Sequence, residues 1–464
     1  MISWTGEQAD ALRRALRITH EAFAAQLGIG ARTVAYWRQR PDTIPQQQMQ
    51  EILDAALERA SEEAKARFAQ MIGEARTASA DRPGLARSFA QDTSAQGAGL
   101  PAEPGHTVAL LDDLIGADMA NRPDVVEASW VSGTASTVIT DYLFSSPVWQ
   151  REEEPLAVVS NTAGARIRAV AQHLMDIDFQ FGGGYVRRIL LFYFQSDVMP
   201  LLQGSHPENT RREIFGAAAE VTQLLGWSAY DAGRHGAAQR YFMQGLRLAT
   251  EAGDAMLGGR LLSNLSHQAN YLGRYDEAVQ FARAAQATGG GRVTGAVTAM
   301  FLAMEARALA SCGDARLCAQ ALNLAEKAFA RRDPEKEPRW ISYFDELELA
   351  GEAAHCFREL GQSRETQLFA RQAIDPAGTP PRTQAFISMV SAAGAFKAGN
   401  LDEAIAHATS AVSLSGSLQS SRYMRYLTDF HQSLSDKYPG HPAVRQFTDL
   451  LTGACPALRL PGIS

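Results

Sequence analysis

The sequence predicts an all-α protein, and three features of the chain support this. Of its 464 residues, 46% are hydrophobic and 20% are charged, an ordinary globular composition with length for about three domains or a long repeat array. Beyond residue 104 the apolar residues follow helical spacing without sustained strand-like alternation. Glycines recur there between helical stretches at nearly regular intervals. We therefore expect an N-terminal helical domain over 1–76, a flexible linker rich in Ala, Gly, Ser, Pro and Gln over 77–104, and a helical repeat domain over 105–464.

The composition excludes several classes of protein. The formal net charge is −7, so any contact with a nucleic acid requires a local positive surface. Four cysteines in a chain of this length exclude a disulfide-stabilised scaffold, and no two of them have CxxC spacing. No apolar run approaches the roughly 18 residues that span a bilayer, and the first twenty residues lack the apolar stretch of a signal peptide. These features predict a cytoplasmic protein without a membrane segment.

Positive charge is concentrated in one part of the N-terminal domain. Residues 11–40 contain six arginines and a single acidic residue, Glu21, which is a local excess of +5. Thr19 is a suitable N-cap for a helix, and proline is favoured in a first helical turn. The pattern predicts four helices, over 7–16, 20–27 and 31–39 and after Pro45. The small core is expected to contain Ala24, Leu27, Ile29, Val34 and Trp37.

Residues 5–60 resemble the helix-turn-helix domain of the Cro/repressor class, the XRE family. The resemblance rests on the segment Leu27-Gly28-Ile29-Gly30-Ala31-Arg32-Thr33-Val34-Ala35-Tyr36-Trp37, in which Gly30 replaces the usual Ser or Thr cap. It implies double-stranded DNA as a partner, with the third helix in the major groove. Base contacts are expected from Ala31, Arg32, Ala35 and Tyr36, and phosphate contacts from Thr19, His20, Thr33, Arg38 and Arg40. The alternative is a protein-binding module whose Arg32 and Tyr36 lie on a solvated helix face.

The fourth helix carries more apolar residues than a minimal domain needs. Its stripe continues through Ala60, Ala64, Phe68, Met71 and Ile72. This surplus predicts self-association or, alternatively, docking on the repeats. Because one helix-turn-helix unit rarely buries enough surface for tight binding, we expect a homodimer that reads two half-sites.

The repeat domain is defined by Gly233, Gly273, Gly313, Gly361 and Gly399. Their spacings are 40, 40, 48 and 38 residues, and small residues lie at fixed offsets around each one. Seven positions before the five glycines lie Gly226, Ser266, Ala306, Ala354 and Ala392. Five positions after them lie Ala238, Ala278, Cys318, Thr366 and Ala404. Phrases such as GRYDEAVQFARAA resemble the second helix of a tetratricopeptide repeat over about 219–418, although the usual aromatic and proline positions are not kept. The resemblance implies an α-solenoid with a concave groove.

In this repeat class the first helix of each hairpin lines the groove. With Gly273 in a loop, six residues of the preceding helix share one stripe: Arg260, Ser263, Asn264, His267, Asn270 and Tyr271. Trp227, Tyr230 and Arg307 occupy equivalent positions in the neighbouring repeats. Together they predict a pocket with aromatic walls and cationic ends for a peptide or small acid. The alternative is that Asn264 and Asn270 only satisfy neighbouring helices.

The sequence contains no common catalytic or cofactor-binding motif. The motifs of phosphate-binding loops, zinc proteases, serine hydrolases and dinucleotide folds are missing from the sequence, so we predict no enzyme and no cofactor. Gly182, Gly183 and Gly184 are interpreted as a loop rather than a phosphate cradle. The acidic cluster Asp345, Glu346, Glu348 and Glu352 is interpreted as a solvated face, with a cationic ligand as the alternative.

The combined architecture is similar to large regulators that are common in actinomycetes. Arginine outnumbers lysine 39 to 5, as in proteins from GC-rich genomes. The resemblance implies a transcriptional regulator whose repeats sense a peptide or small-molecule effector. The alternative is an interaction protein whose repeats bind a protein partner, with the helix-turn-helix only targeting it to DNA.

Overall fold

The computed structural model describes residues 4, 6–16, 18–27, 29, 33–34, 47–58, 60–61, 64–65, 68, 104–145, 162–288, 293–414, 418, 420–455 and 458. The chain divides into two compact units, Met1–Ala90 and Gln91–Ser464. Within the described residues the regular secondary structure is entirely helical. The predicted all-α class is therefore confirmed.

Within its described residues, the first unit contains the helices α1 (Gly6–Ala15), α2 (His20–Leu27) and α3 (Gln47–Glu58). Thr19 caps α2, since its Oγ1 accepts a hydrogen bond of 3.2 Å from the backbone N–H of Ala22. Of the predicted core residues, Ala24, Leu27 and Val34 are buried and Ile29 is half-buried. Trp37 lies outside the described residues.

The apolar stripe beyond α3 has a partner that the sequence analysis did not anticipate. Phe68 is buried, and its ring stacks on Trp4 with 5.4 Å between the centroids. Ala64 is also buried, while Met71 and Ile72 lie outside the described residues. The expectation that this stripe lacks a partner within the domain was therefore wrong at Phe68, because the indole of Trp4 covers it.

The second unit begins with six helices and one π-helical turn, Phe194–Val198, at the C-terminal end of α8. The helices are α4 (Pro104–Met119), α5 (Pro123–Val126), α6 (Ala135–Ser145), α7 (Ala163–Phe181), α8 (Gly183–Tyr193) and α9 (Met199–Gln203). Helices α4 and α6 pack on the outer helices of the repeats, and only α7 and α8 continue the series of hairpins.

Six further hairpins follow along the chain. They pair α10 (Glu208–Asp231) with α11 (His235–Ala252), α12 (Ala255–Tyr271) with α13 (Tyr275–Ala287), α14 (Gly295–Ser311) with α15 (Ala315–Ala330), α16 (Glu346–Glu359) with α17 (Ser363–Gln372), α18 (Pro381–Lys397) with α19 (Leu401–Leu414), and α20 (Ser421–Lys437) with α21 (Pro442–Ala454). The five loop glycines all have positive φ, from 72° to 81°, which is the left-handed conformation that favours glycine.

Small residues allow the helices of each hairpin to approach closely. A Cβ at Gly226 would lie 2.5 Å from the ring of Phe242, and a Cβ at Gly245 would lie 2.9 Å from Leu261. The five residues that follow the loop glycines by five positions are all fully buried: Ala238, Ala278, Cys318, Thr366 and Ala404. The spacing of small residues in the sequence therefore corresponds to real helix–helix contacts.

The hairpins do not form an open groove. The first helices α7, α10, α12, α14, α16 and α18 each pack on the next, and α20 packs on α18. Helix α18 also contacts α7, and α20 contacts α10. The last inner helices thus return to the first, and the expected concave face lines a central cavity.

Candidate ligand-binding site

A cavity lies at the centre of the second unit, where these inner helices face one another. Its volume is about 160 Å³. Side chains from α7, α10, α12, α14, α16, α18 and α20 and from the segment before α16 line it. The apolar part of the lining contains Met175, Phe179, Leu224, Trp227, Met300, Met304, Tyr343, Phe344, Phe386 and Ile387. Seven helices distant in sequence therefore build one site.

Most of the predicted effector residues line this cavity or a second one beside it. The central cavity contains Trp227, Arg260, Ser263, Asn264, His267 and Arg307. The second cavity, of about 430 Å³, contains Asn270 and Tyr271 and shares His267, Arg307 and Tyr426 with the first. The stripe predicted on one helix thus spans two adjoining cavities.

Tyr230 requires a correction. It is fully buried and lines neither cavity. Its hydroxyl lies 3.0 Å from Nδ1 of His267, and its ring contacts Trp227 with centroids 5.5 Å apart. Tyr230 therefore supports the aromatic wall from behind, because residues three apart on a helix point in directions about 60° apart.

The predicted cationic end at Arg307 is already neutralised. Its Nη1 donates a hydrogen bond of 2.9 Å to Oε2 of Glu352, and both side chains are largely buried. The same Nη1 lies 3.4 Å from Nε2 of His267. Burial lowers the pKa of His267 well below its ordinary value, and Arg307 lowers it further, so the imidazole is neutral.

A second buried ion cluster closes the ring of inner helices. The carboxylate of Asp231, which is 0% exposed, accepts hydrogen bonds from Arg382 (2.9 Å), Arg422 (2.9 Å), the Ser420 hydroxyl (2.8 Å) and the backbone N–H of Gly183 (2.9 Å). Burial raises the pKa of Asp231, but Arg382 and Arg422 outweigh this and hold the pKa at about 2. The Asp231 cluster joins α8, α10, α18 and α20.

The glycine run beside this cluster is more than a loop. Gly182 alone separates α7 from α8, and Gly183 and Gly184 belong to α8. A Cβ at Gly183 would lie 2.7 Å from Cα of Ser228. The close approach of α8 to α10 lets the Gly183 N–H reach Asp231, so the protein's own carboxylate occupies this helix N-terminus.

Arg260 differs from the other arginines of the cavity. Arg307, Arg382 and Arg422 each contact a carboxylate, but Arg260 has none within 4.0 Å among the described residues. It is only 4% exposed, and Nη2 lies 3.8 Å from Sδ of Met175. Its guanidinium carbon lies 4.8 Å from the Trp340 ring centroid. Burial lowers the pKa of Arg260 from its ordinary value.

Several buried polar atoms around the cavity have no hydrogen-bond partner in the described part of the chain. They are Asp178 Oδ1, Gln223 Oε1, Arg260 Nε, Ser263 Oγ, His355 Nδ1 and Arg382 Nε, and all six residues line the cavity. A buried polar group left unsatisfied costs about 1–3 kcal/mol. Such a concentration at one site is typical of a place where a polar ligand or water completes the hydrogen bonding.

The acidic cluster before and within α16 is not the solvated face that the sequence suggested. Asp345 caps α16, since Oδ1 accepts from the Glu348 N–H at 2.9 Å, and Glu346 is exposed. Glu348 and Glu352 instead line the cavity. Burial, with a smaller contribution from the neighbouring Glu352, raises the pKa of Glu348 to about 8, so Glu348 is largely protonated at neutral pH.

Nineteen of the 25 residues that line the central cavity were not among the predicted effector residues, although the spacing around the loop glycines identifies four of them. The residue six positions before the loop glycine lines the cavity in four of the five repeats, as Trp227, His267, Arg307 and His355, whereas in the fifth repeat it is Ala393, which does not. Thirteen positions before it lie Arg260, Met300, Glu348 and Phe386, which also line it. Applying the offset to every repeat would have found these residues. Arg382, Arg422 and Tyr426 fall outside that rule.

The structure bears on few of the predicted DNA contacts. Thr19 and Thr33 are exposed, and His20 begins α2. Ala31, Arg32, Ala35, Tyr36, Arg38 and Arg40 lie outside the described residues.

Metal and membrane sites were sought in the same part of the chain. No group of three or more His, Cys, Asp or Glu residues among the described ones could hold a metal ion. None of the described helices combines the length and the apolar character needed to cross a bilayer. No protein-family model matches the chain, and no curated protein matches it.

Proposed function

We propose that this chain is a sequence-specific DNA-binding transcriptional regulator whose helical repeat domain senses a small molecule or peptide. The observation that carries the sensing role is the central cavity, whose lining is largely apolar and includes six residues with a buried polar atom that has no hydrogen-bond partner among the described residues. Binding sites for small molecules typically have this composition, with an apolar lining and a few polar groups that converge on the ligand. The DNA-binding role rests on the Leu27–Trp37 motif and its local positive charge.

The arrangement of the inner helices allows a bound ligand to change the stability of the repeat domain. Inner helices from the beginning and end of the repeat array meet at the cavity, and the Asp231 cluster joins them. A ligand that contacts several of these helices binds the closed arrangement and stabilises it by mass action. We propose that this change in the repeat domain alters the affinity of the chain for its operator, and that the chain acts as a homodimer.

The DNA-binding half is tested with duplexes selected from a random pool by the full chain. Arg32→Ala should cost about 1–3 kcal/mol and relax the preference at one base position, because one arginine reads one guanine. Arg38→Ala should weaken all duplexes alike, because phosphate contacts carry no sequence information. Footprints that stay the same in both variants would contradict the assignment.

The sensing half is tested by adding the small-molecule fraction of a culture extract to the same DNA-binding assay. Asn264 lines the cavity and accepts a hydrogen bond of 3.1 Å from Gln223, whereas Asn323 is exposed on the outer helix α15. Asn264→Ala should weaken the response to the extract, and the matched control Asn323→Ala should not. Equal responses in both variants, or a response produced only by a co-purifying protein, would refute sensing at this cavity.

A further inference from the structure

The chemical class of the ligand follows from the charges that the cavity already contains. Four arginines line it, and three of them contact carboxylates of the protein itself. Asp231 has two arginine partners, and Glu352 has one. Among the described residues this leaves Arg260 as the arginine of the lining without an anionic partner.

The acidic groups nearby are not available to Arg260. Glu220 is close enough to raise its pKa, but the carboxylate of Glu220 is bonded to Arg168 with 2.8 Å between Nε and Oε1. Glu348 lines the cavity from α16, forms no ion pair with Arg260, and is largely protonated at neutral pH because burial raises its pKa to about 8. The guanidinium of Arg260 is instead held by neutral groups, the Met175 sulfur and the Trp340 ring. A buried charge without a counter-ion is costly, so an anion placed there is strongly favoured.

We propose that Arg260 anchors the carboxylate of an apolar monocarboxylic acid in the central cavity, an inference that rests on the proposed sensing function. Arg260 lines the cavity, its Nε has no hydrogen-bond partner among the described residues, and Nη2 contacts only the weak acceptor Met175 Sδ, so the Nε–Nη2 edge that matches a carboxylate has no strong acceptor of its own. Ser263 lies one turn later on α12, and its unpartnered hydroxyl supplies a further donor. The two donors therefore line the same face of one helix.

The remainder of the lining determines the rest of the ligand. Met175, Met300 and Met304 form a flexible apolar wall that adapts to chains of different shape. A single unpaired cation balances one negative charge, so a dianionic phosphate would leave charge uncompensated in a largely buried site. The geometry thus favours a monoanionic head on an apolar body over a phosphate or a neutral amide.

The test compares three probes with the same apolar body, octanoate, octanamide and octyl phosphate, by titration calorimetry on the full chain. Octanoate should bind at least tenfold more tightly than either of the others, because a hydrogen bond to a charged group contributes more than a neutral one. Arg260→Met should abolish this preference while leaving the affinity for octanamide unchanged. Arg260→Lys should retain part of it, since the charge remains but the forked geometry is lost.

Arg283→Met is the matched control, because Arg283 is 55% exposed on the outer helix α13 and pairs with Glu305. It should bind the three probes as the wild type does. Equal binding of octanoate and octanamide by the wild type, a preference that survives Arg260→Met, or no binding of octanoate would each overturn the proposal. The head-group comparison needs only wild-type protein, so it holds even where a variant folds poorly.

The calorimetric assay contains no DNA, so it measures the ligand preference independently of DNA binding. A chain that selects duplexes but does not prefer octanoate would contradict the role of Arg260 and leave DNA binding intact. A chain that prefers octanoate but binds no duplex would contradict the regulatory function and leave the role of Arg260 intact.

Discussion

Replacing Asp231 by Asn should destabilise the second unit, whereas replacing Asp178 by Asn should stabilise it at neutral pH. Both carboxylates face Arg382, with Asp231 2.9 Å and Asp178 4.0 Å from its guanidinium nitrogens. Their pKa values move in opposite directions from the ordinary 3.8, to about 2 for Asp231 and about 6 for Asp178. For Asp178 the dominant cause is burial, which its more distant arginine does not offset.

The magnitudes follow from these values. A lowered pKa means that the ionised Asp231 stabilises the fold above pH 3.8, by about 2 kcal/mol, and that this is lost as the pH falls towards 2. Because Asp231→Asn also leaves Arg382 and Arg422 buried without a counter-charge, we expect a total cost of about 3–5 kcal/mol. A raised pKa means that the folded state loses stability as the pH rises from 3.8 to 6, so Asp178→Asn should recover up to about 3 kcal/mol at pH 7.

The assay is urea unfolding at several pH values between 4 and 7, followed by circular dichroism and tryptophan fluorescence. The ring of Trp227 lies 4.9 Å from the guanidinium carbon of Arg422, so one of the six tryptophans that contribute to the emission lies beside the Asp231 cluster. The loss in Asp231→Asn should be nearly constant over this range, whereas the gain in Asp178→Asn should grow with pH. The reasoning is refuted by a destabilised Asp178→Asn at pH 7, or by a loss below about 1 kcal/mol in Asp231→Asn.

Two further expectations concern packing and assembly. Gly226→Ala should lower the free energy of unfolding by about 1–3 kcal/mol, because the new methyl group meets the buried ring of Phe242. Gly116→Ala on α4 should raise it by about 0.5–1 kcal/mol, because a Cβ at Gly116 would have no other atom within 4 Å and alanine favours the helix. Equal effects in the two variants would show that helix propensity, and not the close approach of α10 and α11, governs both sites. Sedimentation of the full chain should give a dimer at micromolar concentration with or without a selected duplex, and a monomer in both conditions would count against paired half-sites.

The sequence by itself determined the elements and their local contacts. Loop glycines that need positive φ, an N-cap at Thr19 and small residues seven before and five after each loop glycine are local requirements, and each is visible in a single stretch of chain. Helical periodicity likewise identified the inner face of α12, because residues three and four apart share one side of a helix. Most of the predicted effector residues consequently lie together in the structure.

What only the tertiary structure decided is which inner faces meet and which charges cancel. Asp231 binds Arg382 and Arg422, which are 151 and 191 residues away, and no local pattern marks such a pair. The same holds for Glu352 and Arg307 and for the ring of Trp4 over Phe68. The sequence does not show whether an arginine forms an ion pair, since the pair depends on side chains that only folding brings within hydrogen-bond distance. That Arg260 lacks an anionic partner among the described residues is therefore a property of the tertiary structure.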